Sequence, residues 1–81
     1  MGATRTFHGV VAPYQTSEED RTSATTQYFG FLDKGGAWYI QRMVITGSTV
    51  AWTYARGTNN YPANWIAKAL LSYVRFDKVG W

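Results

Sequence analysis

The sequence contains no cysteine, which removes both a disulfide framework and a thiolate zinc site as means of stabilising a small fold. Its one histidine, His8, stands beside a glycine with no convergent partner for base or ligand work. Of five carboxylates only Asp33 and Asp77 fall beyond residue 27, and neither accompanies a histidine, a cysteine or a serine triad. No catalytic, metal or cofactor site is therefore expected, and the chain reads as a non-enzyme. Long hydrophobic runs are missing as well. Nothing approaches the roughly 18–20 apolar residues of a membrane span, nor the apolar core of a signal peptide, so the expectation is a soluble, unsecreted chain.

What the sequence has in abundance is aromatic and β-branched side chains. With 81 residues, 46% hydrophobic and 17% aromatic, it lies on the globular side of the disorder boundary and has room for one domain. The organising stretch is residues 28–56, YFGFLDKGGAWYIQRMVITGSTVAWTYAR. Lys34-Gly35-Gly36 and Thr46-Gly47-Ser48-Thr49 each place a residue tolerant of positive φ between strand-favouring runs. Residues 37–46 form the best central strand: alternation puts Trp38, Ile40, Arg42 and Val44 on one face and Tyr39, Gln41, Met43 and Ile45 on the other. Neither face is wholly polar, so both are expected to be partly covered. In the next strand Val50, Trp52, Tyr54 and Arg56 make the heavier face.

On either side of this meander the signals weaken. Residues 7–14 form a brief apolar patch interrupted by Pro13, able to pair as an edge strand. Residues 15–27, QTSEEDRTSATTQ, lack periodicity and large apolar side chains, and read as a linker or extended arm with at most one helical turn at Ser17. Residues 57–62 are dense in turn formers; residues 62–71 suit a helix of one or two turns with Asn60 as cap and Pro62 in the first turn. Alternation over residues 70–76 predicts a fourth strand, the alternative being a helix running on from Pro62 to Val74. The fold class that follows is mainly β: a small antiparallel meander of about four strands with one short helix (residues 28–81) and an extended N-terminal arm (residues 1–27).

The charge is uneven. The arm sets Arg5 and Arg21 against Glu18, Glu19 and Asp20, whereas the body sets six cations against Asp33 and Asp77. Arginines interleave with aromatics at Tyr39 and Arg42, Tyr54 and Arg56, and Tyr73 and Arg75, the chemistry of a single-stranded nucleic-acid platform. No phosphate loop or RNA-recognition signature accompanies them, about half of these rings must serve the core, and scattered cations are more often an ordinary solvated surface.

The series Tyr28-Phe29-Gly30-Phe31, Gly36-Ala37-Trp38-Tyr39-Ile40, Tyr54-Ala55-Arg56-Gly57, Asn60-Tyr61, Asn64-Trp65 and Leu71-Ser72-Tyr73 resembles short proteins encoded among the structural genes of tailed bacteriophages. The resemblance covers roughly residues 28–77 and leaves out the arm. It implies a virion component, assembled in the host cytoplasm, in a capsid-decoration, neck, tail or baseplate position. It carries no catalytic residue.

Physical chemistry leads to a similar expectation. Residues 28–81 hold 12 of the 14 aromatic side chains, a surplus for a core of that size, and association is the remaining source of burial where disulfides and metals are absent. Trp38, Ile40, Val44, Trp52 and Tyr54 are expected to form the core, with Trp38 and Trp52 at its centre. Phe7, Val10, Val11, Tyr14, Tyr39 and Trp81 are expected at interfaces with copies of the chain or with other virion proteins. The arm's polar stretch, up to about 43–47 Å when extended, would let residues 7–14 dock on a neighbour's sheet edge or, failing that, on their own.

Overall fold

The computed structural model describes residues 14–80; Phe7, His8, Val10, Val11 and Trp81 lie outside them. Four strands, β1 (Gln15–Asp20), β2 (Thr26–Leu32), β3 (Trp38–Thr46) and β4 (Thr49–Gly57), form one antiparallel sheet in chain order. A short helix α1 (Tyr61–Ile66) follows, then 3-10 turns at Lys68–Leu70 and Phe76–Lys78. The chain is mainly β, with four antiparallel strands and one helix.

The turns show why the meander closes where it does. Asp33 Oδ1 accepts hydrogen bonds from the backbone N–H groups of Gly35 and Ala37 at 2.8 and 2.9 Å, an aspartate holding its own turn. Between β3 and β4 only Gly47 and Ser48 intervene, with Gly47 at φ 60° and Thr46 paired to Thr49, a two-residue hairpin whose first central position suits glycine.

The stretch expected to be a linker is instead a strand and a turn. Asp20 Oδ1 accepts from the Thr22 backbone N–H at 3.0 Å and its hydroxyl at 2.6 Å, while Ser23 Oγ accepts from the N–H groups of Thr25 and Thr26 at 3.2 Å each. These short polar side chains satisfy backbone donors that a loop would leave to water, and so turn β1 back along β2. As an exposed edge strand β1 needs no apolar alternation, and its register shift between Thr16 and Glu18 marks a bulge. The expected strand over residues 70–76 is in turn replaced by the 3-10 turns, with a single bridge in which Tyr54 and Val74 exchange backbone hydrogen bonds of 2.7 and 2.9 Å.

Both sheet faces carry a buried cluster. One gathers Phe29, Phe31, Tyr39 and Tyr54 with Tyr14, just ahead of β1. Phe31 stacks on Tyr39 at 4.5 Å and Tyr14 meets Tyr39 edge-on at 5.1 Å. Gln41 lies among these rings, its Nε2 donating to the Tyr54 hydroxyl at 3.0 Å. The opposite cluster is Trp38, Ile40 and Tyr61, joined by Tyr28, Leu32, Trp65, Leu71 and Tyr73. Here the rings lie against bare backbone: a Cβ on Gly30 would collide with the Tyr61 hydroxyl and press on Trp65, and a Cβ on Gly57 would enter the Trp38 indole.

Four core and interface expectations change on this frame. Tyr39, expected at an interface, is 0% exposed, and Tyr14 is buried beside it; clusters cover β3 on both faces from Trp38 to Gln41. Trp52, expected at the core centre, is 38% exposed. It pairs with Met43 near the β3–β4 turn, on the opposite face from Trp38, and its ring lies 6.3 Å from that of Phe29. Val44, also toward that end, is only partly buried. Trp38, Ile40 and Tyr54 are buried.

Two consequences are measurable by thermal unfolding. Trp38→Ala should destabilise by about 3–5 kcal/mol and Trp52→Ala by about 1 kcal/mol; equal losses would contradict this division. Gly30→Ala, by forcing Tyr61 and Trp65 off the sheet, should cost about 1–3 kcal/mol, and an unchanged Tm would refute the close seat.

Candidate interaction surface

From Gly57 to Val74 the chain has one formal charge, Lys68. How that charge is placed decides what the helix shows to its surroundings. Asn60 opens α1 in the left-handed region at φ 58°, a conformation asparagine tolerates. Its carbonyl accepts from the Asn64 backbone N–H at 3.1 Å and side-chain Nδ2 at 2.9 Å. Pro62 occupies the first turn, where an N–H would have no helical partner.

The underside of α1 is fixed to the sheet. Trp38 Nε1 donates to the Asn59 carbonyl at 2.6 Å, and Tyr61 packs between Trp38 and Trp65 with ring centroids at 6.4 and 6.1 Å. The Tyr61 hydroxyl is buried without a well-formed hydrogen bond; burial, and then the neighbouring Glu18, hold its phenol well above the ordinary tyrosine range. Beyond the helix Lys68 turns inward. Its ammonium lies 3.1 Å from an Asp20 carboxylate oxygen, 4.5 Å from the Trp65 ring and 5.7 Å from the Tyr28 ring. Tyr73 donates to the Lys68 carbonyl at 2.8 Å and takes the Arg42 guanidinium on its ring at 4.5 Å. Burial raises the Tyr73 phenol despite that guanidinium. Tying down Tyr61, Trp65 and Lys68 fixes the rotation of the whole segment.

That rotation leaves Pro62, Ala63, Ile66, Ala69 and Leu70 exposed, with Ile66 at 82% and Leu70 at 87%. All five are uncharged and apolar, and they make up the exposed side of α1 and of the 3-10 turn that follows it. A surface helix ordinarily turns polar side chains outward; this one is apolar on both sides. Single exposed leucines are unremarkable, but several uncharged apolar residues exposed along one segment make a candidate contact surface.

The cations meanwhile are largely engaged. Besides Arg42 and Lys68, Arg56 donates to the Gly80 carbonyl at 2.6 Å, Arg75 pairs with Asp77 at 3.4 Å and Arg21 with Glu19 at 2.8 Å. The interleaved tyrosines are also occupied: Tyr39 and Tyr54 are buried, and Tyr73 is covered by Arg42. Among the described residues no group of three His, Cys, Asp or Glu side chains is placed to hold a metal ion, and no helix is long and apolar enough to cross a membrane.

Of the residues expected at interfaces, Phe7, Val10, Val11 and Trp81 lie outside the described residues, while Tyr14 and Tyr39 belong to the core. Sequence reading missed the exposed apolar side of α1. Its signal was the single charge in residues 57–74 together with the four-residue spacing of Ile66 and Leu70. No family model matches the chain, and comparisons with curated proteins and with solved structures likewise gave no match.

The Asp20 carboxyl is held down to about 2, by the Thr22 hydroxyl and backbone N–H first and by Lys68 after them. A depressed folded-state value means that the group stabilises the fold above its unfolded value near ~3.9. That contribution disappears as the pH falls through about 2. Melting curves from pH 7 down to about 2 should therefore show Asp20→Asn less sensitive to acid than the parent through this window; parallel curves would remove Asp20 from the acid response.

Proposed function

We propose that this chain is a non-enzymatic structural component of a tailed-bacteriophage virion, acting through protein–protein contacts in a capsid-decoration, neck, tail or baseplate position. The observation that carries the contact role is the uncharged, exposed group of Pro62, Ala63, Ile66, Ala69 and Leu70, along a segment whose other side is fastened to the sheet. Full burial of Ile66 and Leu70 against a partner would contribute about 3–6 kcal/mol before the costs of association. The virion setting rests on the resemblance over residues 28–77. A small sheet with both faces occupied and its helix rotationally fixed suits a rigid building block.

Binding of single-stranded nucleic acid is supported less well. A stacking platform needs open rings beside free cations, whereas Tyr39 and Tyr54 are buried and Arg42 lies on Tyr73.

Gel filtration at about 50 and 200 mM salt, with and without a single-stranded oligonucleotide, separates the two readings. The elution position should be unchanged by the oligonucleotide; a shift that weakens with salt would favour nucleic acid. Gradient-purified particles should contain the chain in a fixed ratio to the other virion proteins, and its absence from them would overturn the virion reading.

A further inference from the structure

We propose that residues 7–11 of this chain dock on the face of their own sheet that carries Trp52, covering Met43, Val50 and Trp52 at the end nearest the β3–β4 turn. The docking uses the sheet face opposite α1, and it is independent of the virion setting.

Alternation along β3 and β4 puts Tyr39, Gln41, Met43 and Ile45 on one face with Val50, Trp52, Tyr54 and Arg56. Toward the β2–β3 turn this face is closed: Phe31, Tyr39 and Tyr54 are buried together with Tyr14, and Val79 packs against their cluster. Toward the β3–β4 turn the described residues cover it less. Val50 is 45% exposed and Trp52 38%, while Met43 and Ile45 are only partly buried. No charged side chain of β3 or β4 stands among these four, since Arg42 lies on the opposite face and Arg56 at the other end, where it donates to the Gly80 carbonyl. The surface left over is apolar and uncharged.

The occupant follows from where the described chain begins. Tyr14 is buried on this same face, its ring edge-on to Tyr39 at 5.1 Å, so the chain joins β1 from this side of the sheet. Pro13, directly before it, has no N–H to extend the β1 ladder, and it favours extended backbone at Ala12. The lengths then match. From Tyr39 the register runs four residues to Met43, opposite Trp52, and six to Ile45, opposite Val50, which is about 13 and 20 Å along the strand. In extended chain Val11 and Val10 lie about 10–13 Å from Tyr14 and Phe7 about 23 Å, which sets the valines over Met43 and Trp52 and Phe7 beside Ile45 and Val50. Residues 7–11 carry no Lys, Arg, Asp or Glu, as an uncharged surface requires. A tether of two residues, Ala12 and Pro13, also holds them near this surface at an effective concentration on the order of millimolar. An untethered partner of the same chemistry lacks that advantage. Docked in this way, the segment is not available to a neighbour's sheet edge.

Nuclear magnetic resonance of the full chain tests this at about 0.05 and 0.5 mM, both below the effective concentration of so short a tether. Overhauser contacts should join the Val10 and Val11 methyl groups to the Trp52 indole and the Phe7 ring to Val50, with the same relative intensity at both concentrations. Isotope-filtered spectra of mixed labelled and unlabelled chains should show none of them between chains. The double substitution Val10→Asp and Val11→Asp should abolish the contact of Phe7 with Val50 and shift Trp52 emission to the red, read as the difference from Trp52→Phe in the same background, with circular dichroism showing the sheet intact. In this cysteine-free chain, Val10→Cys combined with Met43→Cys should close to a monomeric disulfide much faster than Val10→Cys combined with Thr53→Cys, which neighbours Trp52 in β4 but lies on the opposite face. Absence of the contacts in the parent, unmoved Trp52 emission in the folded double variant, or equal closure of the two cysteine pairs overturns the docking. Contacts found only between chains also overturn it, since a second copy's segment then covers the face.

Discussion

The helical side of this fold depends on aromatic rings lying directly on backbone. Gly30 in β2 leaves the space that the Tyr61 hydroxyl and the Trp65 ring occupy, and Gly57 at the end of β4 leaves the space for the Trp38 indole. With no side chain in the way, α1 approaches the sheet closely enough for Trp38 Nε1 to reach the Asn59 carbonyl. This seat sets the height and rotation of the helix, and everything exposed on its outer side follows. A larger residue at Gly30 would change which residues the helix presents.

A second constraint is the handling of charge. The cations of this basic chain lie mostly on rings, carboxylates or carbonyls within the fold: Arg42 on Tyr73, Lys68 between Trp65 and Asp20, Arg56 at the Gly80 carbonyl. Cation–ring contacts of this kind gain from partial desolvation, and they let a small sheet use its long basic side chains as covering for aromatic surface. The helix, relieved of charge, then differs from the rest of the surface.

Sequence reading reached the meander because its signals are local. Asp33 with Gly36 and Gly47 with Ser48 fix turns through their own backbone preferences, and residues 38–46 alternate between two apolar faces. It missed β1 because an edge strand exposed on its outer side carries no apolar periodicity; the Asp20, Thr22 and Ser23 side chains that make the turn are the same residue types that make linkers. It misplaced Tyr39 and Trp52 for a related reason. Alternation assigns residues to a face but not to a position along it, and what separates the two is how far the covering segments extend toward the β3–β4 turn. The bridge at Val74 was legible as extended chain, whereas the 3-10 turns around it were not, since Leu70 and Phe76 fit a strand by composition. The exposed apolar side became visible only once the partners of Tyr61 and Lys68 fixed which side of the helix faces out.

Gln41, almost wholly buried and bonded to the Tyr54 hydroxyl across the β3–β4 pair, acts as a key for strand alignment. Apolar alternation alone tolerates a shift of two residues, because Tyr39, Met43 and Ile45 share the same face with Val50, Trp52 and Tyr54. In such a slipped sheet the amide would lie among aromatic rings away from the hydroxyl that now accepts its hydrogen bond, and a buried polar group left so carries a penalty of about 1–3 kcal/mol. One amide in a largely aromatic cluster thus adds to the Gly47-Ser48 hairpin in opposing such a slip.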